Sequence, residues 1–410
     1  MLYSSEKFAY PDIKYRFAQK SFMGSETIKN TTSFILSLYL FLLSIKLLST
    51  GLKLLGKTGE QMIGGDILST LISSTADPLT GLFVGIFVTS IIQSSSATTC
   101  LVVGMVSANP AFLPYAVPIV MGANIGTTVT NTLVSFGHVV RKKEFAKALS
   151  GATLHDFFNL TAVLIILPIE LLFHPLQKTA LYLAQTFNGA GGFEFISPLK
   201  IILDPIIKTI MTSTQSFGAF QGIGIAFIAF VILMLSLKTI VQSMRKLALR
   251  AEENAISKYL FKNSFTAFTV GLFVTALVQS SSVTTSMIVP FIGAGMLSLE
   301  QALPYMMGAN IGTTITSLLA ALGGATAESA VAVQGQLSPD VAALTIAFVH
   351  TLFNILAVCI IYPLRVIPVT IAKKFGSFAS QKKRYAIAYI ITLFYIIPII
   401  YIILTGTMGG

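Results

Sequence analysis

The same eight residues, MGANIGTT, occur twice in this chain, at 121–128 and at 307–314. A second block is also repeated, since residues 93–99 are QSSSATT and residues 279–285 are QSSSVTT. The two copies of each block are separated by the same offset of 186 positions, so the sequence between the blocks aligns without a gap. Biased composition does not produce two matching blocks in one register. The sequence therefore predicts an internal structural repeat.

The composition places this repeat in a membrane protein. Hydrophobic residues make up 54% of the 410 residues and charged residues only 10%, whereas soluble domains carry about 25% charged residues. The mean hydropathy is +0.80. The chain has too few charges for a soluble globule and too much apolar surface for a disordered chain. We expect an all-α polytopic membrane protein.

Several apolar stretches are long enough to cross a bilayer as helices, which takes about 20 residues. They lie near 32–54, 111–136, 146–173, 222–246, 300–322, 341–372 and 386–405. Two further apolar regions, 79–108 and 265–298, are interrupted by the repeated QSSS block. Each interruption leaves arms of about 12 to 15 residues, or roughly 20 Å of helix, which is too short for an apolar core of about 30 Å. We predict two re-entrant helical hairpins whose tips lie inside the membrane.

The basic residues predict how the chain is inserted. Residues 1–31 carry five lysines and arginines, without an apolar core or a small-residue cleavage site, and are expected to be a cytoplasmic tail before a signal anchor. With this end inside, the basic clusters at 141–143, 245–262 and 373–384 all fall on the cytoplasmic side. The net charge of +11 is thereby explained by topology, and no nucleic-acid partner is predicted.

Each repeat contains one span, one hairpin and two further spans. Because three crossings is an odd number, the second copy is expected to be inverted relative to the first. The predicted units are the tail 1–31, repeat 1 over 32–173, an extracytoplasmic connector over 174–221, repeat 2 over 222–373, and a basic loop with the final span over 374–410. Inverted repeats with broken helices are a common transporter architecture, with the substrate bound between the copies near the midplane.

The hairpin tips carry polar side chains at the point where a helix must restart. The free N–H groups and the positive dipole end of a restarting helix favour an anion, and hydroxyl groups add donors. The predicted anion-binding residues are Gln93, Ser94, Ser95, Ser96, Gln279, Ser280, Ser281 and Ser282. The alternative for such serine clusters is interhelical hydrogen bonding or close packing of small residues.

Side chains with neutral oxygens surround these blocks and suggest a site for a hard cation such as Na⁺. The glycines of MGANIGTT are expected to unwind the helix and free backbone carbonyls, although a glycine-mediated helix contact is the alternative. The candidate Na⁺ ligands are Thr98, Thr99, Asn124, Thr127, Thr128, Asn159, Thr284, Thr285, Asn310, Thr313, Thr314 and Asn354, together with Asp156. No other metal and no cofactor is predicted.

Asp156 is the one acid well inside a predicted span, and the equivalent position in the second copy is Thr351. A carboxylate inside a membrane is a candidate functional group, here for a cation, with pairing to His155 or to a lysine as the alternative. His155 and His350 occupy equivalent positions and are expected to be structural or network donors. Neither hairpin contains Lys or Arg, so a bound anion would need helix ends, hydroxyls and co-bound cations for its neutralisation.

No enzyme is predicted. The sequence lacks a G-x-S-x-G elbow and a Walker A loop, which disfavours hydrolysis and ATP-driven transport by this chain. Asp156 directly follows His155, and neighbouring helix residues point about 100° apart, so this acid is poorly placed to orient that histidine. Cys100 and Cys359 lie in apolar runs and are expected to be packing residues.

The QSSS blocks, VMGANIGTTVTNT (120–132), GATLHDFFN (151–159) and MMGANIGTTIT (306–316) together resemble the type II sodium-dependent phosphate cotransporter family. The resemblance covers roughly residues 80–172 and 265–375. It implies symport of inorganic phosphate with Na⁺ by an alternating-access, elevator-like mechanism in an all-helical membrane fold.

The resemblance also implies roles for particular residues. The two QSSS segments would line the phosphate and Na⁺ sites, and Thr313 and Thr316 would contribute to a Na⁺ site. Asp156 matches the acid that distinguishes electrogenic from electroneutral members, which implies net charge movement in each cycle. The short segment 174–221 and the single span after the second repeat suggest a bacterial-type protein of the inner membrane.

Three alternatives remain open beside phosphate import. The chain could couple a cation to another oxyanion such as sulfate, it could sense phosphate without transporting it, or it could be an intramembrane hydrolase. The expected partners are phosphate, Na⁺, the lipid bilayer and a second copy of the chain in a homodimer.

Overall fold

The computed structural model of this chain describes residues 77–138, 140–190, 198–248, 261–324 and 337–408, with part of the segment 29–54. Every regular element within these ranges is helical, and no strand occurs among them. The predicted all-α class is confirmed for this part of the chain. Almost all of the predicted tail 1–31 lies outside the described residues.

In the first half, the described residues within 29–54 are helical, as the span predicted near 32–54 requires, and a helical hairpin, called the first hairpin below, begins at Pro78. Its arms are α1, Pro78–Ile92, and α2, Ser95–Ala108. Asp77 precedes α1 and accepts a hydrogen bond from the backbone N–H of Thr80 at 2.9 Å, which satisfies one of the free donors at the helix start. Both arms are shorter than a membrane-spanning helix, as the broken hydrophobic pattern predicts.

Three further helices complete the first half. They are α3, Leu113–Gly126, α4, Val129–Ser135, and α5, Lys142–Phe173. The segment 174–221, predicted only as a connector, contains two more helices, α6, Pro175–Ala190, and α7, Pro198–Ser213. The link from α5 to α6 is fixed by the buried Glu170 carboxylate, which accepts the backbone N–H of Leu176 at 2.7 Å.

The second half follows the same order. After α8, Gln221–Ala248, the second hairpin consists of α9, Ser264–Val278, and α10, Ser281–Gly293. The helices α11, Leu299–Gly324, and α12, Pro339–Ile361, come next. The described chain ends with α13, Val366–Ala379, and a final helix made of α14, Lys383–Ile391, a π-helical turn, Thr392–Ile396, and α15, Ile397–Met408.

The prediction of one span over 341–372 is wrong, because α12 ends at Ile361 and a turn at 362–365 separates it from α13.

Within the described ranges, four helical stretches are long and apolar enough to cross a membrane. These are Pro110–Thr132, Lys142–Phe173, Pro339–Ile361 and Lys383–Thr405. The stretches predicted near 222–246 and 300–322 are also helical, in α8 and α11.

The two halves pack on each other through equivalent helices. In the first half α1 lies along α3, and in the second half α9 lies along α11. The helix that follows α5, namely α6, packs against α12, and the helix that follows α12, namely α13, packs against α5. Each half therefore contributes one helix to the packing of the other, so neither half is an independent bundle.

Glycines set the close approach of each hairpin to its neighbouring helix. A Cβ atom added to Gly122 of α3 would lie 2.0 Å from the carbonyl oxygen of Leu82 in α1, and one added to Gly308 of α11 would lie 2.0 Å from that of Phe268 in α9. Both distances are far below van der Waals contact. Only glycine permits these backbones to meet.

The expectation that the glycines of MGANIGTT unwind the helix is wrong in the second copy, where α11 runs without a break through Gly308 and Gly312. In the first copy α3 ends at Gly126 and only a short turn at 127–128 precedes α4. The structure instead shows the alternative, a glycine-mediated helix contact, at Gly122 and Gly308. Through these contacts the MGANIGTT blocks pack against the first arms of the hairpins.

Gly308→Ala is expected to lower the thermal stability of the purified protein, because the new methyl group would overlap the Phe268 carbonyl oxygen. The cost should be about 3 kcal/mol, the upper end for over-packed interiors. Thermal unfolding in detergent measures it. Gly224→Ala is the matched control, since a Cβ atom there meets nothing within 4 Å. Equal melting temperatures for the two variants would contradict the close contact.

Candidate functional site

The two hairpin tips are built alike. Gln93 and Gln279 end the first arms in the left-handed conformation, with φ of 59° and 56°. Ser94 and Ser280 follow in extended conformation and cap the second arms, since their hydroxyl oxygens accept the backbone N–H groups of Ala97 and Val283. A left-handed glutamine is uncommon, and here it reverses the chain within two residues so that α2 and α10 begin at the tips.

A threonine pair joins the two arms of each hairpin below its tip. Thr89 donates to Thr98 across the first hairpin at 2.8 Å, and Thr275 and Thr284 are 2.7 Å apart across the second. All four side chains are buried. Thr98 and Thr284, both predicted as Na⁺ ligands, are therefore used to hold the hairpin arms together.

The tips of the two hairpins touch. The hydroxyl of Ser96, in the first hairpin, donates to the carbonyl oxygen of Gln279, in the second, at 3.1 Å. Nearby, the Asn131 side chain of α4 donates to the hydroxyl of Thr285 at 3.0 Å, which ties α4 to the start of α10. Two segments that lie 186 positions apart in the sequence thus form one polar cluster between the halves.

The two glutamine side chains have different surroundings. In the first hairpin, Thr130 donates to the Gln93 side-chain oxygen at 2.7 Å, and the Gln93 amide nitrogen donates to the carbonyl of Ser90. Thr316 is the repeat equivalent of Thr130. Among the described residues, however, neither the Thr316 hydroxyl nor the Gln279 side-chain oxygen has a hydrogen-bond partner, and both atoms are buried. The second half therefore offers two oxygens that a ligand or cation could use.

All of the predicted Na⁺ ligands are buried. Four of them have equivalent local bonds, since Thr127 and Thr313 donate to the carbonyls four residues earlier and Thr128 and Thr314 to those three residues earlier. A hydroxyl that donates in this way keeps its lone pairs. These four oxygens can still bind a cation.

A series of hydrogen bonds between the two halves involves three other predicted Na⁺ ligands, Asn124, Asn159 and Asn310. His155 lies 2.5 Å from the side-chain oxygen of Asn310, and Asn310 donates to that of Asn159 at 2.7 Å. Asn159 donates in turn to the backbone carbonyl of Asn124 at 2.8 Å. This arrangement gives His155 the network role predicted for it. Among the described residues, the equivalent Asn354 bonds only to the carbonyl of His350 within its own helix.

Asp156 lies in the middle of α5 and is 1% exposed. Its Oδ2 atom accepts a hydrogen bond from the hydroxyl of Tyr389 at 2.9 Å, and the side chain of Thr128 lies beside it. Within the described part of the chain, Oδ1 has no hydrogen-bond partner and Asp156 forms no ion pair. Pairing with His155 or a lysine, the alternative considered from sequence, is not what these residues show.

Buried polar atoms nearly always have partners in folded proteins, so the exceptions mark places where a ligand can bind. Within the described ranges, the unpartnered buried side-chain atoms belong to Thr99, Thr132, His155, Asp156, Gln279, Thr316, His350 and Asn354. Most of them were predicted as site residues. The anion candidates at the tips are also largely enclosed, since Ser95, Ser96, Gln279, Ser281 and Ser282 are buried, while Gln93, Ser94 and Ser280 are half-buried.

Several residues of this cluster were missed in the sequence. Thr130 could have been found, because it is the repeat equivalent of Thr316, and Asn131 stands beside it in the VTNT segment. Ser317, which lies 3.1 Å from the ring nitrogen Nδ1 of His350, had no such signal. Neither did Tyr389, which comes from the final helix outside both repeats.

Comparison with known proteins identifies the family to which this chain belongs. A family model described as Na⁺/Pi-cotransporter matches residues 40–191 and 232–362, which include both hairpins and the helices α3 and α11 beside them. The chain belongs to the Na⁺/Pi-cotransporter family. The resemblance inferred from the repeated motifs is thereby confirmed, and the family is one of transporters rather than enzymes.

Two relatives illustrate the extent of the similarity. The chain is 30% identical over 457 residues to sodium-dependent phosphate transport protein 2B of Homo sapiens, covering 88% of this chain and 63% of the relative. It is 31% identical over 431 residues to sodium-dependent phosphate transport protein 2A of Rattus norvegicus, covering 88% and 65%. The chain thus spans less than two thirds of the length of these family members. No solved structure matches it.

Proposed function

We propose that this protein imports inorganic phosphate by symport with Na⁺, with both substrates bound where the two hairpin tips meet. The observation that carries the proposal is the contact of the tips, in which the Ser96 hydroxyl donates to the Gln279 carbonyl at 3.1 Å. This contact brings two helix starts and two serine clusters to one place in a chain of the Na⁺/Pi-cotransporter family.

The tips suit an oxyanion that is held without a basic side chain. Neither Pro78–Ala108 nor Ser264–Gly293 contains Lys or Arg. The first backbone N–H groups of α2 and α10 have no partner within their helices, and such groups bind phosphate at many helix starts. The hydroxyls of Ser95, Ser281 and Ser282 add donors from both sides.

Phosphate carries at least one negative charge at neutral pH, so a site without basic residues requires co-bound cations. The oxygens proposed to bind Na⁺ are three of those left without partners within the described ranges: the Gln279 side-chain oxygen, the Thr316 hydroxyl and Oδ1 of Asp156. Neutral oxygens and one carboxylate suit a hard monovalent ion. Na⁺ bound beside the anion would offset its charge, which couples the two substrates.

The alternating-access part of the proposal is an elevator-like motion. The matching packing of α6 on α12 and of α13 on α5 supports two oppositely inserted halves, and transporters of this design move one group of helices against another. The clusters of basic residues support a cytoplasmic N-terminus. An inner-membrane location and a homodimer are proposed on the resemblance alone.

Reconstituted vesicles should accumulate ³²P-phosphate when an inward Na⁺ gradient is imposed, with ²²Na entering alongside. Replacing Ser281 by Ala should raise the half-saturating phosphate concentration about tenfold, because a hydrogen bond to a charged group is lost. Ser286→Ala is the matched control on the same helix, since the Ser286 hydroxyl donates to its own helix at Val283.

Several outcomes of this flux experiment would overturn the proposal. Phosphate uptake that is indifferent to Na⁺ would reject symport. Sulfate that competes as well as phosphate itself would favour the broader oxyanion transporter, and phosphate binding without flux would favour a sensor. Equal effects of Ser281→Ala and Ser286→Ala would remove the tip serines from the substrate site.

Transport is proposed to be electrogenic because Asp156 supplies a buried negative charge for a coupling ion. Asp156→Gly should reduce or abolish the current that accompanies phosphate uptake, measured as charge moved per phosphate. Thr351→Gly is the matched control, because Thr351 holds the repeat-equivalent position and its hydroxyl donates to the carbonyl of Ala347 in its own helix. An unchanged charge per phosphate in Asp156→Gly would contradict this role.

A further inference from the structure

The final helix, Lys383–Met408, lies outside both repeats and makes three hydrogen bonds to the first half through tyrosine hydroxyls. Tyr389 donates to Oδ2 of Asp156 at 2.9 Å, Tyr395 to the backbone carbonyl of Ser90 at 3.0 Å, and Tyr401 to a carboxylate oxygen of Asp77 at 2.9 Å. The three tyrosines are spaced six residues apart. Only the first of them reaches a carboxylate within the helices that form the candidate site.

The π-helical turn at Thr392–Ile396 explains how Tyr389 and Tyr401 can both face the first half. In a regular α-helix, residues twelve apart point about 120° away from each other. A π-helical turn takes up one extra residue, which reduces that angle to about 20°. The turn therefore brings the two hydroxyls onto one face of the final helix, where both meet a carboxylate.

The ring of Tyr389 is fixed by other aromatic side chains, independently of its hydroxyl. Its centroid lies 4.5 Å from that of Phe375 in α13, 6.1 Å from that of Phe157 in α5 and 5.9 Å from that of Phe394 in the π-helical turn. Such contacts stabilise a ring in one orientation. Removing only the hydroxyl is expected to leave this packing in place.

We propose that Tyr389 is a positioning residue for Na⁺ coupling, which holds the Asp156 carboxylate so that its Oδ1 atom faces the coupling ion. This inference rests on the proposed function and adds to it a residue from outside the repeats. Tyr389 does not touch the ion in this scheme; it acts through Asp156.

The geometry of the hydrogen bond supports this role. The bond fixes the rotation of the carboxyl group by occupying Oδ2. Within the described part of the chain, the Oδ1 atom of Asp156 has no hydrogen-bond partner, and the residue is only 1% exposed. Buried polar atoms rarely lack a partner. A dehydrated cation bound to Oδ1 would supply one.

A purely structural tie between the final helix and the first half is the competing explanation. The bond from Tyr401 to Asp77 provides a test of that explanation, because it is a tyrosine–carboxylate bond of equal length on the same helix. Asp77 sits at the start of α1, the opposite end of that arm from the tip at Gln93, and its carboxylate already caps α1 through Thr80.

Tyr389→Phe should raise the half-saturating Na⁺ concentration for phosphate uptake about three- to tenfold, which is less than the full effect of losing a hydrogen bond to a charged group because Tyr389 acts through Asp156. At saturating Na⁺ the maximal rate and the half-saturating phosphate concentration should stay near those of the unchanged protein. Tyr401→Phe should leave the Na⁺ dependence unaltered. In an Asp156→Gly background, Tyr389→Phe should have no further effect, because two residues that act as a unit are not additive.

A second readout does not require turnover. Na⁺ that binds the folded protein raises its melting temperature with a dependence on concentration that reports the affinity. In purified full-length protein, the Na⁺ titration of the melting temperature should shift to higher concentrations in Tyr389→Phe and not in Tyr401→Phe. A Tyr389→Phe protein with a lower melting temperature in K⁺ but an unshifted Na⁺ titration would establish the structural tie and overturn the positioning role.

The remaining outcomes separate this inference from the proposed function. If the unchanged protein takes up phosphate with Na⁺ and Tyr389→Phe keeps its half-saturating Na⁺ concentration, or lowers it, only the role of Tyr389 fails. If the unchanged protein shows no Na⁺-dependent uptake, the proposed function fails, and the Na⁺ titration of the melting temperature still decides whether Tyr389 acts on a Na⁺ site.

Discussion

The structure depends on the burial of two polar hairpin tips against each other between the two halves. Polar backbone at membrane depth persists only where protein or an enclosed cavity satisfies it. Here each tip is capped by its own serine, joined below by a threonine pair, and linked to the other tip by Ser96 and the Gln279 carbonyl. The glycines of α3 and α11 let the first arm of each hairpin lie directly on a neighbouring backbone, which keeps both tips at fixed positions.

The two halves share one plan but differ at the places where chemistry is expected. The side-chain oxygen of Gln93 accepts a hydrogen bond from Thr130. Within the described part of the chain, the equivalent Gln279 oxygen and Thr316 hydroxyl have no hydrogen-bond partner. The first half has Asp156 where the second has Thr351. In the proposed site for phosphate and Na⁺, these unequal positions let the first half supply a charge and the second half neutral oxygens.

Much of this arrangement could be predicted from the sequence. The repeated QSSS block within apolar runs indicated both hairpins, and their arms are as short as the interruptions suggested. The role of MGANIGTT could not be decided in the same way, since glycine both unwinds helices and permits close contact, and only the neighbouring backbone distinguishes the two. The turn at 362–365 was missed because the apolar run continues through it. Hydropathy alone does not show where one helix ends and the next begins in a different direction.

The contribution of the final helix could not be predicted, for a different reason. Tyr389 has no repeat equivalent, and its reach to Asp156 depends on a π-helical turn and on packing against α5 and α13. Contacts between segments 233 positions apart are set by tertiary packing. By contrast, the assignment of Asp156 itself needed only the observation of an acid within an apolar span.

The central claim is that phosphate binds between the two hairpin tips, and a structure determined with Na⁺ and phosphate present tests it most directly. The account predicts tetrahedral density between Ser95–Ser96 and Ser281–Ser282, in contact with the starts of α2 and α10. Phosphate density elsewhere in the protein, or tips that are separated from each other in every state of the transport cycle, would contradict it.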